Sequence, residues 1–152
     1  MSRDVNDPKT AALVEARAIA RQDAGVAVVG FRADGTIAAS AFRGICDSRT
    51  VSDLHGRDVV TTVVIVVGTV SDLARATAPL DALTRTLSSQ GITVTATLHA
   101  RDLTQGAWTD LSTDHPRDGI IPAPDYRRAL HRPRRWTSVL LSRIHRHRTG
   151  DR

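Results

Sequence analysis

With 152 residues, 41% of them hydrophobic, the chain suits one domain: folding at this size removes roughly 68–70% of the unfolded surface from water, so disorder throughout is excluded. A lone cysteine, Cys46, excludes a disulfide framework and any multi-cysteine zinc site, and 3% aromatics exclude a stacking platform for single-stranded nucleic acid. The net charge of +5 is the one global number that hints at a partner, and the start MSRDVNDPKT and the lack of any apolar run near ~20 residues make a soluble, cytoplasmic protein the expectation.

Along the chain, Asp7 followed by Pro8 marks a helix start, because proline's missing N–H costs nothing in a first turn. Ala-rich residues with Leu13, Ala16 or Arg17, and Ala20 at helical spacing predict a helix over about 9 to 23, ended by Gly25. Val26, Val28, Val29 and Phe31 then lead into Ala33-Asp34-Gly35, whose positive-φ residues suit a turn, and strand formers resume from Thr36 toward Phe42. A β-hairpin is predicted. Residues 44 to 58 read as a loop with one short helical turn near Ser52.

Val59 to Val67 is nine β-branched residues in a row, which means a strand covered on both faces, at the centre of a sheet. Leu73, Ala76, Leu80, Leu83 and Leu87 follow at steps of three and four, the stripe of an amphipathic helix. Pro79 leaves two readings: a helix kinked there, or one capped by Thr77 and running over about 78 to 90, up to Gly91. Ile92, Val94, Ala96 and Leu98 alternate with Thr93, Thr95, Thr97 and His99, the period of a half-buried strand, completing a βαβ unit. A short strand over Ala107 to Leu111 follows the Gln105-Gly106 turn.

The strand ending near Gly68, the Leu-rich helix, Gly91-Ile92-Thr93-Val94, the β-run reaching Arg101-Asp102, then Trp108 and the Asp114-His115-Pro116-Arg117-Asp118-Gly119 turn leading to Pro122 resemble an uncharacterised actinobacterial domain-of-unknown-function family, number four-one-nine-two. The resemblance covers about residues 59 to 130, with the hairpin at 26 to 43 a looser match. Members commonly carry Cys-Cys-Pro before that glycine; here Asp114-His115-Pro116 stands instead, so nothing those cysteines do carries over. The resemblance implies an α/β fold and an actinobacterial or actinophage source, and no activity.

Three features in the body can carry chemistry. Gly68-Thr69-Val70-Ser71-Asp72 is a strand-to-helix turn at the carboxyl end of the central strand, where α/β sheets bind ligands, but it lacks both glycine-rich phosphate-cradling patterns. Asp102, Asp110, Asp114, His115 and Asp118 gather carboxylates and an imidazole without the spacing that aligns metal ligands on one helical face, so turns and caps are the commoner use. Ser71, His55 and Asp53 make a triad on paper only, with no nucleophile elbow, and Asp47 beside Cys46 disfavours a thiolate. Gly68, Thr69, Ser71, Asp114 and His115 remain as an edge for a small ligand, with no catalytic residue, metal or cofactor assigned.

The charge is partitioned. Residues 126 to 152 hold nine arginines against one acid, a net +8, whereas residues 1 to 125 hold 12 basic and 15 acidic residues, a net −3. Lys9 is the only lysine, so arginine abundance fits a GC-rich genome, but its clustering is not explained that way. Trp136, Val139, Leu140 and Ile144 fall at i, i+3, i+4 and i+8 on a helix beginning after Pro133, flanked by basic residues. The expectation is one α/β domain over 1–125, a mixed sheet of about five strands with an N-terminal helix, and a basic amphipathic tail over 126–152. Through Arg127, Arg128, Arg132, Arg134, Arg135, Arg143, Arg146 and Arg148 that tail would contact a polyanion, nucleic acid first, an anionic membrane surface or an acidic protein as lesser options; the opposing reading packs its apolar stripe on the body. The alternative class is an enzyme or ligand-binding domain at the carboxyl end of the central strand.

Overall fold

The structure, a computed structural model, describes residues 7–21, 23–45, 54, 57–104, 106–112 and 117–121. In chain order the elements are α1 (Pro8–Ile19), β1 (Gly25–Phe31), β2 (Ile37–Arg43), β3 (Thr61–Val67), α2 (Val70–Ser89), β4 (Thr93–Ala100), β5 (Ala107–Asp110) and β6 (Arg117–Ile120). The strands form one mixed six-stranded sheet in the order β2-β1-β3-β4-β5-β6, with β3 and β4 parallel and every other neighbouring pair antiparallel. This is the expected α/β architecture, with one strand more than expected. The helical turn expected near Ser52 and the basic tail lie outside the described residues, Leu54 apart.

The absence of alternation in β3 is explained by its position. Val63, Ile65 and Val67 join Ala27, Val29 and Phe31 of β1 under Ala12, Leu13 and Ala16 of α1. The intervening Val64 and Val66 face the other way, toward Leu87 and Ala76 of α2. Both faces of the strand are dry, so both parities must be apolar. The βαβ unit arises because two adjacent parallel strands need a long crossover, here α2.

The hairpin closes as its residues dictate. Gly35 takes φ 83°, and the Asp34 carboxylate accepts from the Thr36 N–H at 3.0 Å and from its hydroxyl at 2.7 Å. Asp7 caps α1, its carboxylate accepting from the Lys9 N–H at 3.3 Å, with Pro8 in the first turn as expected.

Three readings differ from expectation, each for a local reason, and of the two readings open at Pro79 the helix continuing through it is the one observed. α1 stops at Ile19 because Ala20 is already extended at ψ 129°, and Gly25 is the first residue of β1, where a Cβ would stand 2.6 Å from the Phe42 ring. α2 begins at Val70 and runs through Pro79: Thr69 and Asp72 form a reciprocal capping box that starts the helix a full two turns before Thr77, whose hydroxyl instead donates to the Leu73 carbonyl. The alternation in β4 does not mark one face. The register slips between Thr62 and Val63, leaving Thr95 as an extra residue whose hydroxyl donates to the Thr62 carbonyl at 3.1 Å, so Val94 faces α2 while Ala96, Leu98 and Ala100 face α1. Finally, Arg117-Asp118-Gly119, expected as part of a turn, pairs with β5 as the edge strand β6, and Gly119 lies opposite Trp108, whose indole occupies the space a side chain would need.

Pro79 has no N–H to offer the Arg75 carbonyl. Pro79→Ala is therefore expected to raise the unfolding free energy by about 1–3 kcal/mol, read as a higher urea midpoint; an unchanged or lower midpoint would contradict the cost assigned to the proline. Gly119→Ala should cost about 1–3 kcal/mol by overpacking against Trp108, and a neutral effect in the same measurement would contradict the close approach.

Candidate functional site

The carboxyl end of β3 is occupied by its own polar network. Gly68 takes φ 139°, and a Cβ there would meet the Asp72 carboxylate at 2.6 Å, which reserves the position for glycine. Asp72 Oδ2 accepts from the Thr69 N–H at 2.9 Å and from its hydroxyl at 3.0 Å, while the Asp72 N–H donates back to Thr69 Oγ1 at 3.2 Å. The Thr69 N–H, then its hydroxyl, hold the Asp72 carboxyl below the usual carboxylate range. Arg75 adds a 3.5 Å ion pair one turn on. From β4, His99 Nε2 lies 2.9 Å from the Gly68 carbonyl oxygen, and since a carbonyl only accepts, Nε2 carries the proton and donates. Ser71 is exposed on the first turn of α2. The expected edge residues Gly68, Thr69 and Ser71 are thus neighbours, but the first two are engaged in starting a helix and ending a strand.

The carboxylates expected as a loose cluster are dispersed by the sheet. Asp102 Oδ1 accepts from the Thr104 N–H and hydroxyl at 2.7 and 2.6 Å, closing the turn after β4. Asp118 Oδ1 accepts from the Thr109 hydroxyl at 2.8 Å across β5 and β6. Asp110 is opposite Arg117 in the register and Thr109 opposite Asp118, so Asp110 and Asp118 point to opposite faces. Among the described residues no group of three or more His, Cys, Asp or Glu is arranged to hold a metal ion. Asp114, His115, Cys46, His55, Asp53 and all nine tail arginines, the eight candidate contacts among them, lie outside the described residues.

Asp110 is the one buried carboxylate in the described residues, fully enclosed on the α1 face. Lys9 Nζ donates to its Oδ2 at 2.5 Å, and the Ser112 N–H at 2.9 Å and the Ser112 hydroxyl donate to its Oδ1. Burial pushes this carboxyl up, but the bonds from Lys9 and Ser112 and the lysine's charge outweigh it and leave it below the ordinary value, hence ionised. The pair ties the first turn of α1 to β5 across 101 residues of sequence. Composition alone did not single out Lys9; its being the one lysine in an arginine-rich chain was the available signal.

A wide-mouthed hollow of about 460 Å³ lies at the opposite end of the sheet, lined by Arg32, Ala33, Asp34, Asp58, Val59 and Val60. Its charged groups serve the hairpin: Arg32 donates to the Thr36 hydroxyl at 3.3 Å and the Ile37 carbonyl at 3.1 Å, and the Thr36 hydroxyl is the main reason the Asp34 carboxyl is lowered. Asp58 sits at φ 57°, a left-handed conformation that aspartate tolerates better than most residues. No local pattern in the sequence places Asp58 beside the hairpin tip.

The chain matches no family model, no curated protein and no solved structure. No helix among the described residues is long and apolar enough to cross a membrane.

Lys9→Met would leave Asp110 buried without its cation, at a cost of about 2–3 kcal/mol. Asp110 is lowered from 3.8 in the fold, so its contribution is complete above that value and is lost as pH falls through the folded value. Acid titration by circular dichroism should therefore show Lys9→Met unfolding at higher pH than the native chain. An unchanged acid midpoint would contradict the role given to the pair.

Proposed function

We propose that the protein is a non-catalytic binding or accessory protein whose arginine-rich tail contacts a polyanion, nucleic acid first among them. The observation that carries this reading is the partition of charge: +8 over residues 126–152 on a body of −3. Guanidinium groups neutralise phosphates and release condensed counterions, a term that needs no base-reading motif and gives sequence-independent affinity. Arg127, Arg128, Arg132, Arg134, Arg135, Arg143, Arg146 and Arg148 are the residues that would make those contacts.

The reading of a ligand edge at Gly68, Thr69 and Ser71 has weaker support. A ligand there would have to displace Asp72 from Thr69 and compete with His99 for the Gly68 carbonyl. Asp114 and His115 lie outside the described residues. The resemblance to the actinobacterial family, taken as a proposal of distant membership, carries no activity to either reading.

Fluorescence anisotropy with labelled duplex DNA and single-stranded RNA over a salt series tests the proposal. Affinity should fall as salt rises, with a log–log slope of about −0.9 per phosphate contacted on duplex and about −0.7 on single strands. Truncation after Pro133 should remove most of it. Absent or salt-insensitive binding, or binding that survives truncation, overturns the assignment, and retention on anionic vesicles alone would move the partner to a membrane surface.

A further inference from the structure

The two faces of the sheet are not equally covered. On the α1 side the core is continuous from Phe42 and Ile37 of β2 to Trp108 of β5, closed by Leu103 and Ile121. On the other side α2 packs over β3 and β4 through Leu80, Leu83 and Leu87. Beyond β4 no described helix follows. Trp108 pairs with Ala100 and belongs to the α1 side, so Ala107 and Thr109 point away from α1, as do their partners Ile120 and Asp118. Ile120 is 72% exposed, and Leu111, in line beyond β5, is 39% exposed. At the same end of the sheet as Ile120, and opposite to Leu111, Val70 in the first turn of α2 is 77% exposed. A ledge with an apolar rim and one carboxylate thus lies beside α2.

The ledge has the dimensions of one helix. Two strands at a spacing of about 4.8 Å are about 10 Å wide, and packed helices lie about 8–10 Å apart. Four-residue strands are about 13 Å long, and on a helix the stripe from Trp136 to Ile144 would cover about 12 Å.

The geometry points to the chain's own segment 134–147 as the occupant: its stripe of Trp136, Val139, Leu140 and Ile144 docks along β5 and β6 beside α2, over Ile120 and Leu111, with the arginines that do not meet Asp118 outward. Three observations on sequence and structure favour this occupant. The segment follows Ile121, the residue after β6, by about a dozen residues, whose reach of about 40 Å is ample for the ledge. Its charge is opposite to that of the body, and Asp118 stands on the ledge to meet Arg135 or Arg143. A tethered segment also acts at an effective concentration in the millimolar range, above that of a free partner. The inference shares with the proposed function the amphipathic reading of the tail, but it needs no polyanion. Its consequence for that function is that arginines would be presented from a fixed platform.

The chain has two tryptophans, so full-length Trp108→Phe makes Trp136 the only indole. Without nucleic acid, its emission should be blue-shifted, and its acrylamide quenching several-fold weaker, relative to a peptide of residues 126–152. Ile120→Arg in that background should bring both readings to those of the peptide with the far-UV spectrum of the body unchanged. Should Trp108→Phe not fold, the difference spectrum between the native chain and Trp136→Phe gives the same reading. Peptide-like emission in the full chain, a blue shift that survives Ile120→Arg, or one lost on dilution, which would mean docking on a second copy, each overturns the inference. Because no polyanion is present, these outcomes are independent of the anisotropy result.

Discussion

The strand β3 must be dry on both faces, and most of the architecture answers to that requirement. Seven consecutive residues from Thr61 to Val67 carry no charge and, apart from the two threonines, no polar atom in their side chains. Burying both parities demands a layer on each side and a backbone partner on each edge. β1 supplies one edge in antiparallel pairing and β4 the other in parallel pairing. The layers differ in origin: α1 comes from before the sheet, and α2 is the crossover forced by the parallel pairing. Thr62 shows how dry the strand is, since its fully buried hydroxyl has no hydrogen-bond partner, a situation that costs about 1–3 kcal/mol in general.

What could be read from sequence depended on whether its cause was local. The β-branched run, the Asp34-Gly35 turn and the Asp7-Pro8 start are each set by a few adjacent side chains, and each stands where it was expected. The β4 register slip was hidden because Thr and apolar residues alternate on both sides of Thr95, so the sequence pattern is unbroken where the facing is not. β6 was hidden because Arg117, Asp118 and Gly119 are poor strand formers; the strand exists through pairing with β5 and through Trp108 covering the glycine. Pro79 directed attention to Thr77, whereas the stronger cap lay at Thr69, whose partner Asp72 is three residues on. Of the candidate edge, Gly68, Thr69 and Ser71 were placed at the right end of the right strand, because strand and glycine are local features. Their engagement with Asp72 and His99 was not readable, since the His99 contact spans 31 residues.

The polar chemistry of the body is mostly inward-looking. Asp34, Asp72, Asp102 and Asp110 each accept from a hydroxyl-bearing neighbour two or three residues away and shape a turn or a helix start, and Asp118 joins two strands through Thr109. Such short Asx-type bonds stabilise loops and leave fewer lone pairs for a ligand. The excess of arginine in the last 27 residues has no such local use apparent in its spacing, which is why a functional reading gravitates there.

The pairing of Lys9 with Asp110 also limits what can be done to the protein chemically. Arginine carries almost all the positive charge, and the single side-chain amine is bonded to a fully enclosed carboxylate with 30% of its side chain exposed. Any acyl, methyl or isopeptide group placed on a lysine of this chain must land on Lys9, and acylation would remove the charge that Asp110 depends on. The extent of labelling at the Lys9 amine of the folded protein therefore also reports on whether α1 is seated on the sheet.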